Sequence, residues 1–188
     1  MSDVQVRSSD DLEGVRNLLI RPSVSYSLDA QNTFSAGVAY IGTFSPIVAD
    51  TTEYRTWQQF ISNRKFAGNP LTHRVRLEQR FIERAAGSDI YSDRLRYFLR
   101  FMLPLAGTAN QPFTQGNYIA LQNEVFLNIS GRSKLNGQLF DQNRAYVGFG
   151  RRLNAKVDVE IGYLNQQLNG RTQDTQNQVI QLALFTRF

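Results

Sequence analysis

The stretch Leu71-Thr-His-Arg-Val-Arg-Leu-Glu-Gln-Arg-Phe-Ile-Glu-Arg84 constrains this chain more than any other. Alternate positions carry Arg74, Arg76, Glu78 and Arg80 on one side and Val75, Leu77, Gln79 and Phe81 on the other. Successive side chains point to opposite faces of a strand, so as a strand this segment has one charged face and one mostly apolar face. The pattern recurs between Arg94 and Leu103. There Arg94, Arg96 and Arg100 share one face, and Leu95, Tyr97, Leu99, Phe101 and Leu103 share the other. Long strands, apolar on one side and arginine-rich on the other, predict a barrel with lipid outside and charge inside.

At 188 residues the chain is expected to form one domain, residues 1–188, with ample length for a closed sheet. A mean hydropathy of -0.36 would suit a soluble protein. Alternating strands average out in any hydropathy window, however, so that value does not exclude a transmembrane barrel. The absence of any run of about 18 apolar residues does exclude a transmembrane helix. No cysteine and a single histidine leave little for a zinc-type metal site, and no cofactor is expected. The net charge of +5 would admit a nucleic-acid partner. Binding single strands would need aromatics interleaved with basic residues on one exposed face; here the two sets fall on opposite faces, and no nucleic acid is expected. Met1-Ser2-Asp3 leads straight into polar sequence with no secretory signal, so an outer-membrane location implies a mature form with Met1 added.

Ten strands are expected: 3–8, 15–28, 33–43, 53–60, 71–84, 94–103, 117–129, 143–153, 155–168 and 179–188. Pro22 lies in the second and cannot donate to the ladder, which predicts a bulge there. Trp57 shares parity with Glu53, Arg55 and Gln59, so it either packs inside or is shifted outward by a bulge. Segments 61–70 and 106–116 read as loops. Asp29-Ala-Gln-Asn32 and Leu153-Asn-Ala-Lys156 read as tight turns. These turns fall on one rim of an up-and-down barrel, with the carboxy-terminus; the long polar loops after the third, fifth, seventh and ninth strands fall on the other. Short periplasmic turns and longer outer loops are the outer-membrane pattern, against which the loops after strands four and six are long. Ile180, Leu182, Leu184, Thr186 and Phe188 then alternate to the end of the chain. Apolar alternation closed by Phe188 is similar to the signal by which outer-membrane barrels are handed to their assembly machinery.

The blocks Glu53-Tyr-Arg-Thr-Trp-Gln-Gln-Phe60, Leu71 to Phe81 and Arg94-Leu-Arg-Tyr97 resemble those of a bacterial domain-of-unknown-function family, DUF2490, of predicted outer-membrane β-barrels. Asn123-Glu-Val-Phe126, Phe140-Asp-Gln-Asn-Arg144 and Gly162-Tyr-Leu164 resemble its later blocks. The resemblance runs from about Arg21 to Phe188. Members usually carry further residues, with an early Trp, before the first strand here, so twelve strands are expected if a native N-terminal segment is missing. The resemblance implies fold and location, and no activity.

The candidate site is the interior charge set. By parity it holds Arg21, Arg55, Arg74, Arg76, Arg80, Arg94, Arg96, Arg100, Arg144, Arg152 and Lys156, against Glu53, Glu78, Glu124, Asp158 and Glu160. Such a set is either a structural network of arginine–carboxylate forks or a narrow anion-permeable pore. Barrels of about 8 strands fill their interior with side chains, which favours the network. A dry interior with surplus cations is implausible, so water or small anions must reach some of them. Expected partners are therefore outer-membrane lipid, the barrel-assembly machinery and small anions.

Two alternatives use the same pattern. A soluble lipocalin-like carrier would turn the apolar face inward. A barrel enzyme acting on outer-membrane lipid would need a nucleophile and base. The single histidine, His73, has the parity of Val75 and Leu77 and reads as an interfacial side chain. Asp158 and Glu160 read as ion-pair partners, so no catalytic residue is assigned. Outward aromatics are expected at Tyr26, Tyr40, Tyr54, Phe60, Tyr97, Phe101, Tyr118, Phe149, Tyr163 and Phe188, several of them near strand ends as interfacial girdles.

Overall fold

The structure, a computed structural model, describes residues 2–8, 15–44, 50–84, 88–105 and 113–186, with side chains described from residue 18 onward. The period-two pattern is realised as ten strands: β1 (Ser2–Ser8), β2 (Val15–Ser27), β3 (Asn32–Thr43), β4 (Thr51–Phe66), β5 (Asn69–Arg84), β6 (Ile90–Pro104), β7 (Gly116–Asn128), β8 (Phe140–Asn154), β9 (Val157–Leu168) and β10 (Thr175–Thr186). They form one sheet in chain order, an antiparallel meander. Among the described residues there is no α-helix, and the only helical turn is a 3₁₀ turn at Arg132–Lys134.

The expected closed barrel is not formed in this sheet. It is an open ladder ending on β1 and β10, which pair with β2 and β9 respectively. With a neighbour on one side only, β10 is exposed along its length apart from Ala183.

Several boundaries also differ. The loop expected at 61–70 is mostly strand: β4 and β5 run on to a two-residue turn, Ala67–Gly68, with φ of 48° and 79°. Positive φ at both central positions is what a type I′ hairpin requires. The Asn69 side chain steadies it by donating to the Ala67 carbonyl at 3.0 Å. The connection after the fourth strand is therefore as short as the topology wants. Alternation failed as a guide here because Asn63, Arg64 and Lys65 are all exposed, beyond any face that must be apolar.

Pro22 makes no bulge. The β2–β3 register is the same at Ile20↔Tyr40 and at Ser23↔Gly37, with the pairs between them missing. Gly37 lets the Pro22 carbonyl come close, since a Cβ there would overlap it. The two tight turns expected after the second and eighth strands do form. Asp29 Oδ1 accepts from the Gln31 and Asn32 amides at 2.7 and 2.8 Å, and Asn154 Oδ1 from those of Lys156 and Val157 at 2.8 and 3.1 Å. These are Asx turns, in which a short polar side chain stands in for backbone acceptors.

The chain divides into two compact units, each drawing on several strands. The first comprises Met1–Phe60, Val75–Leu95 and Leu127–Leu139. Its apolar cluster is small: Ala39, Ile41 and Trp57, with Leu19 packed against it. The segment after β7 is clamped to the start of β6, where Asp93 accepts from the Ile129 amide at 2.8 Å and from Ser130 Oγ at 2.6 Å. The second comprises Ile61–Arg74, Arg96–Phe126 and Phe140–Phe188, with Tyr118, Ala120 and Tyr146 as its cluster. In both units most of what is buried is polar or charged, and most large exposed side chains are apolar.

Candidate functional site

Each unit buries a layer of arginines and carboxylates, placed by strand alternation on one face. In the first unit β4 contributes Glu53 and Arg55, β5 contributes Arg76, Glu78 and Arg80, and β6 contributes Arg94. Glu53 accepts two forks at once. Arg55 reaches its two oxygens at 2.6 and 2.9 Å, and Arg80 reaches the same pair at 2.6 and 3.2 Å. Glu78, 1% exposed, accepts from Arg94 Nε and Nη2 at 3.0 and 2.7 Å, with Arg55 and Arg76 each 3.7 Å away. Charge-assisted and bidentate contacts of this kind are the strong ones, and burial strengthens them further. Arg76 turns away from Glu78 to donate to Gln59 Oε1 at 2.9 and 2.5 Å.

The second unit repeats the motif with other partners. Glu124 Oε1 accepts from Arg74 at 2.7 Å and from Arg96 at 2.7 and 3.0 Å. Glu160 takes Arg100 at 2.6 Å on one oxygen and the Tyr146 hydroxyl at 2.9 Å on the other. Arg100 also donates to Gln122 at 3.2 Å. Asp158 accepts a fork from Arg152 at 2.8 and 3.0 Å. Arg144 lies over the Phe126 ring at 5.1 Å. Fourteen of the sixteen residues expected in the charge layer make these contacts, divided between the units, and Arg21 on β2 is half-buried. Lys156, expected there by parity, is instead exposed in the β8–β9 turn. Phe188, expected as the assembly signal, lies outside the described residues. Among those residues no group of three His, Cys, Asp or Glu is placed to hold a metal.

What sequence reasoning missed is the aromatic lining of the charge layer. Trp57 is 5% exposed, with the Arg76 guanidinium 4.5 Å above its ring, so its parity with Arg55 holds and no outward shift occurs. Arg96 stands over Phe126 at 4.5 Å and Arg74 over Phe98 at 4.4 Å. Flat rings with negative faces attract these cations on the side away from their carboxylate partners. Tyr118, expected to face outward, is fully buried. It shares parity with Ala120 and Glu124, and its ring lies over Gly150, where a Cβ would overlap it. The parity of Tyr118 was a usable signal; the glycine beneath it was not visible without the strand register.

The opposite face is apolar and aromatic. Tyr26, Tyr54, Phe60, Tyr97, Phe149 and Tyr163 are exposed there, as expected. His73 also lies there and meets the Tyr97 hydroxyl through Nδ1 at 2.8 Å. Polar side chains on this face pair with each other: Gln79 Oε1 accepts from Thr56 at 2.7 Å, and Asn123 exchanges amide hydrogen bonds with Asn143 at 3.1 and 3.2 Å.

Residues 1–177 match the DUF2490 family, described as a protein of unknown function, and the chain belongs to that family. It is also similar to an uncharacterized protein of Methylorubrum extorquens, 29% identical over all of this chain and 79% of that protein. No solved structure matches it.

Proposed function

We propose that this member of the DUF2490 family inserts in the bacterial outer membrane, where the sheet, open between β1 and β10 in this structure, closes into a barrel around a structural arginine–carboxylate interior. One observation carries the reading: burial is inverted along single strands. In β5, Arg76 and Glu78 are buried while Val75 and Phe81, on the other face, are 42% and 45% exposed. In β9, Glu160 is 1% exposed and its neighbour Ile161 52%. In water this arrangement is unfavourable twice over, because apolar area stays hydrated and charges are desolvated. A hydrocarbon solvent removes the first cost and makes the polar interior the natural place for charge. Exposed Ile180, Leu182 and Leu184 on β10, at 71%, 76% and 67%, extend the lipid-facing surface and supply the alternation that the assembly machinery would read. A lipocalin-like carrier needs the opposite orientation of both faces. His73 engages Tyr97 on the apolar face, away from the buried carboxylates, and no catalytic role is assigned.

A narrow anion-permeable pore is the second reading, favoured by the excess of guanidiniums over carboxylates in both charge layers. The test is to refold the chain into lipid vesicles, score insertion by protease protection, and record current across a planar bilayer in a salt gradient. Insertion without current supports the structural network. Discrete steps with a reversal potential selecting anions support the pore. Protein that stays soluble without detergent overturns the barrel. Closure is read separately from amide exchange: if β1 pairs with β10, successive β10 amides are all protected, whereas pairing with β9 alone leaves alternate ones fast.

A further inference from the structure

The apolar face of the second unit is not flat. A groove of about 530 Å³ opens on it across β6 to β9, and among the described residues no charged side chain lines it. Ligand sites are typically concave, about 300–1,000 Å³ and mostly apolar, with a few placed polar groups. The groove has a local cause. Ala145 is a small side chain on β8, with the larger Leu121 on β7 and Tyr163 on β9 to either side, and Phe101 on β6 adds to the lining.

The groove also has a direction. Outward positions along β8 run Asn143, Ala145, Val147 and Phe149, paired in turn with Gln167, Asn165, Tyr163 and Ile161 on β9. One end is therefore amide, and the other is hydrocarbon and ring. At the amide end Asn123 and Asn143 exchange side-chain hydrogen bonds at 3.1 and 3.2 Å, and Asn123 and Asn165 line the groove itself. That end points toward the connection between β9 and β10, and the apolar end toward the two-residue turn between β8 and β9. In the barrel reading, on which this inference rests, the longer connections lie at the outer rim.

We infer that the groove holds an acyl chain of lipopolysaccharide, the lipid of the outer leaflet, with the amide-linked end of the chain at the asparagine row. A chain with one polar end and a long apolar body suits a groove graded the same way. An asparagine amide both donates and accepts hydrogen bonds. Hydroxyl and amide groups at the head of such a chain answer both functions, whereas the ester carbonyls of a phospholipid only accept. Polar groups are costly in hydrocarbon unless hydrogen-bonded, so a lipid that serves this row fully is favoured over one that does not.

The test is native mass spectrometry of the full chain refolded in uncharged detergent and titrated with lipid A or with phosphatidylethanolamine. The expected result is a lipid A adduct that saturates and that phosphatidylethanolamine does not displace. Ala145→Phe, which fills the groove from an exposed position, should weaken the adduct about tenfold. Val159→Phe, on the same face but outside the groove, should leave it unchanged. Should Ala145→Phe fail to fold, Asn165→Leu decides the matter, since it should erase the preference for lipid A over the phospholipid. An adduct that is absent, or that ignores both substitutions, overturns the site. Preference of the unaltered chain for phosphatidylethanolamine overturns the occupant, and a mass of two chains that Ala145→Phe abolishes makes the groove a contact between copies instead. Insertion into vesicles, scored by protease protection, tests the barrel reading separately: a chain that inserts yet takes up no lipid A overturns this inference alone.

Discussion

The ring of Tyr118 lies directly over Gly150, close enough that a Cβ on the glycine would overlap it. Tyr146 does the same to Gly148 and Gly162, which are paired across β8 and β9. Two tyrosines thus occupy the space that three missing side chains leave, and Tyr146 carries its hydroxyl to Glu160. Ring-on-glycine contacts explain how bulky aromatics share a layer with arginines.

Gly150→Ala should therefore destabilise by about 1–3 kcal/mol, the usual cost of overpacking a filled interior. The measurement is the urea midpoint of the refolded protein. Gly150→Ala combined with Tyr118→Leu should recover part of the loss, because the smaller side chain gives the methyl room. Equal losses in the single and double variants would mean that the ring does not depend on the glycine.

Glu78→Leu should lower the unfolding free energy by about 3–5 kcal/mol, read as a lower urea midpoint, since it removes the buried carboxylate that Arg94 grips at 2.7 Å. Glu83→Leu, at an exposed position on the same strand, should change stability by no more than about 0.5 kcal/mol. An unchanged midpoint for Glu78→Leu removes this carboxylate from the network.

Glu124 serves Arg74 and Arg96 together, which predicts coupling. In a double-mutant cycle of Arg96→Met with Glu124→Gln, the coupling energy should fall between about 0.5 and 3 kcal/mol. Additive losses would mean that the 2.7 Å contact between them contributes nothing to stability.

Val147 is 48% exposed on the apolar face of β8. If that face meets lipid, Val147→Arg should destabilise by about 2–4 kcal/mol in vesicles when it lies near the bilayer midplane. On a water-exposed face the same change is nearly neutral, within about 0.5 kcal/mol. Folding free energies of the variant and parent in vesicles separate the two environments.

Much of the architecture was legible in the alternation itself. Val75, Arg76, Leu77 and Glu78 must take opposite faces of any strand that contains them, so the two faces of β5 followed from local order alone, whereas Lys156 and Tyr118 fell on the other side from the one their parity was read to give. Parity also placed Trp57 inside once no bulge intervened. The same logic failed near Asn63 to Lys65, where every side chain is solvated and alternation carries no burial signal. It also could not tell that the sheet would end on β1 and β10, because closure depends on pairing between segments far apart in the chain.

Which charge meets which was decided only by the tertiary structure. Glu53 takes Arg80 from 27 residues away and Glu160 takes Arg100 from 60. Cross-strand neighbours depend on register and stagger, which are set by the hydrogen-bond ladder and turns acting together. The covering of Gly150 by Tyr118 is of the same kind. Local chemistry determined the faces of this protein; only long-range pairing determined the partners within them.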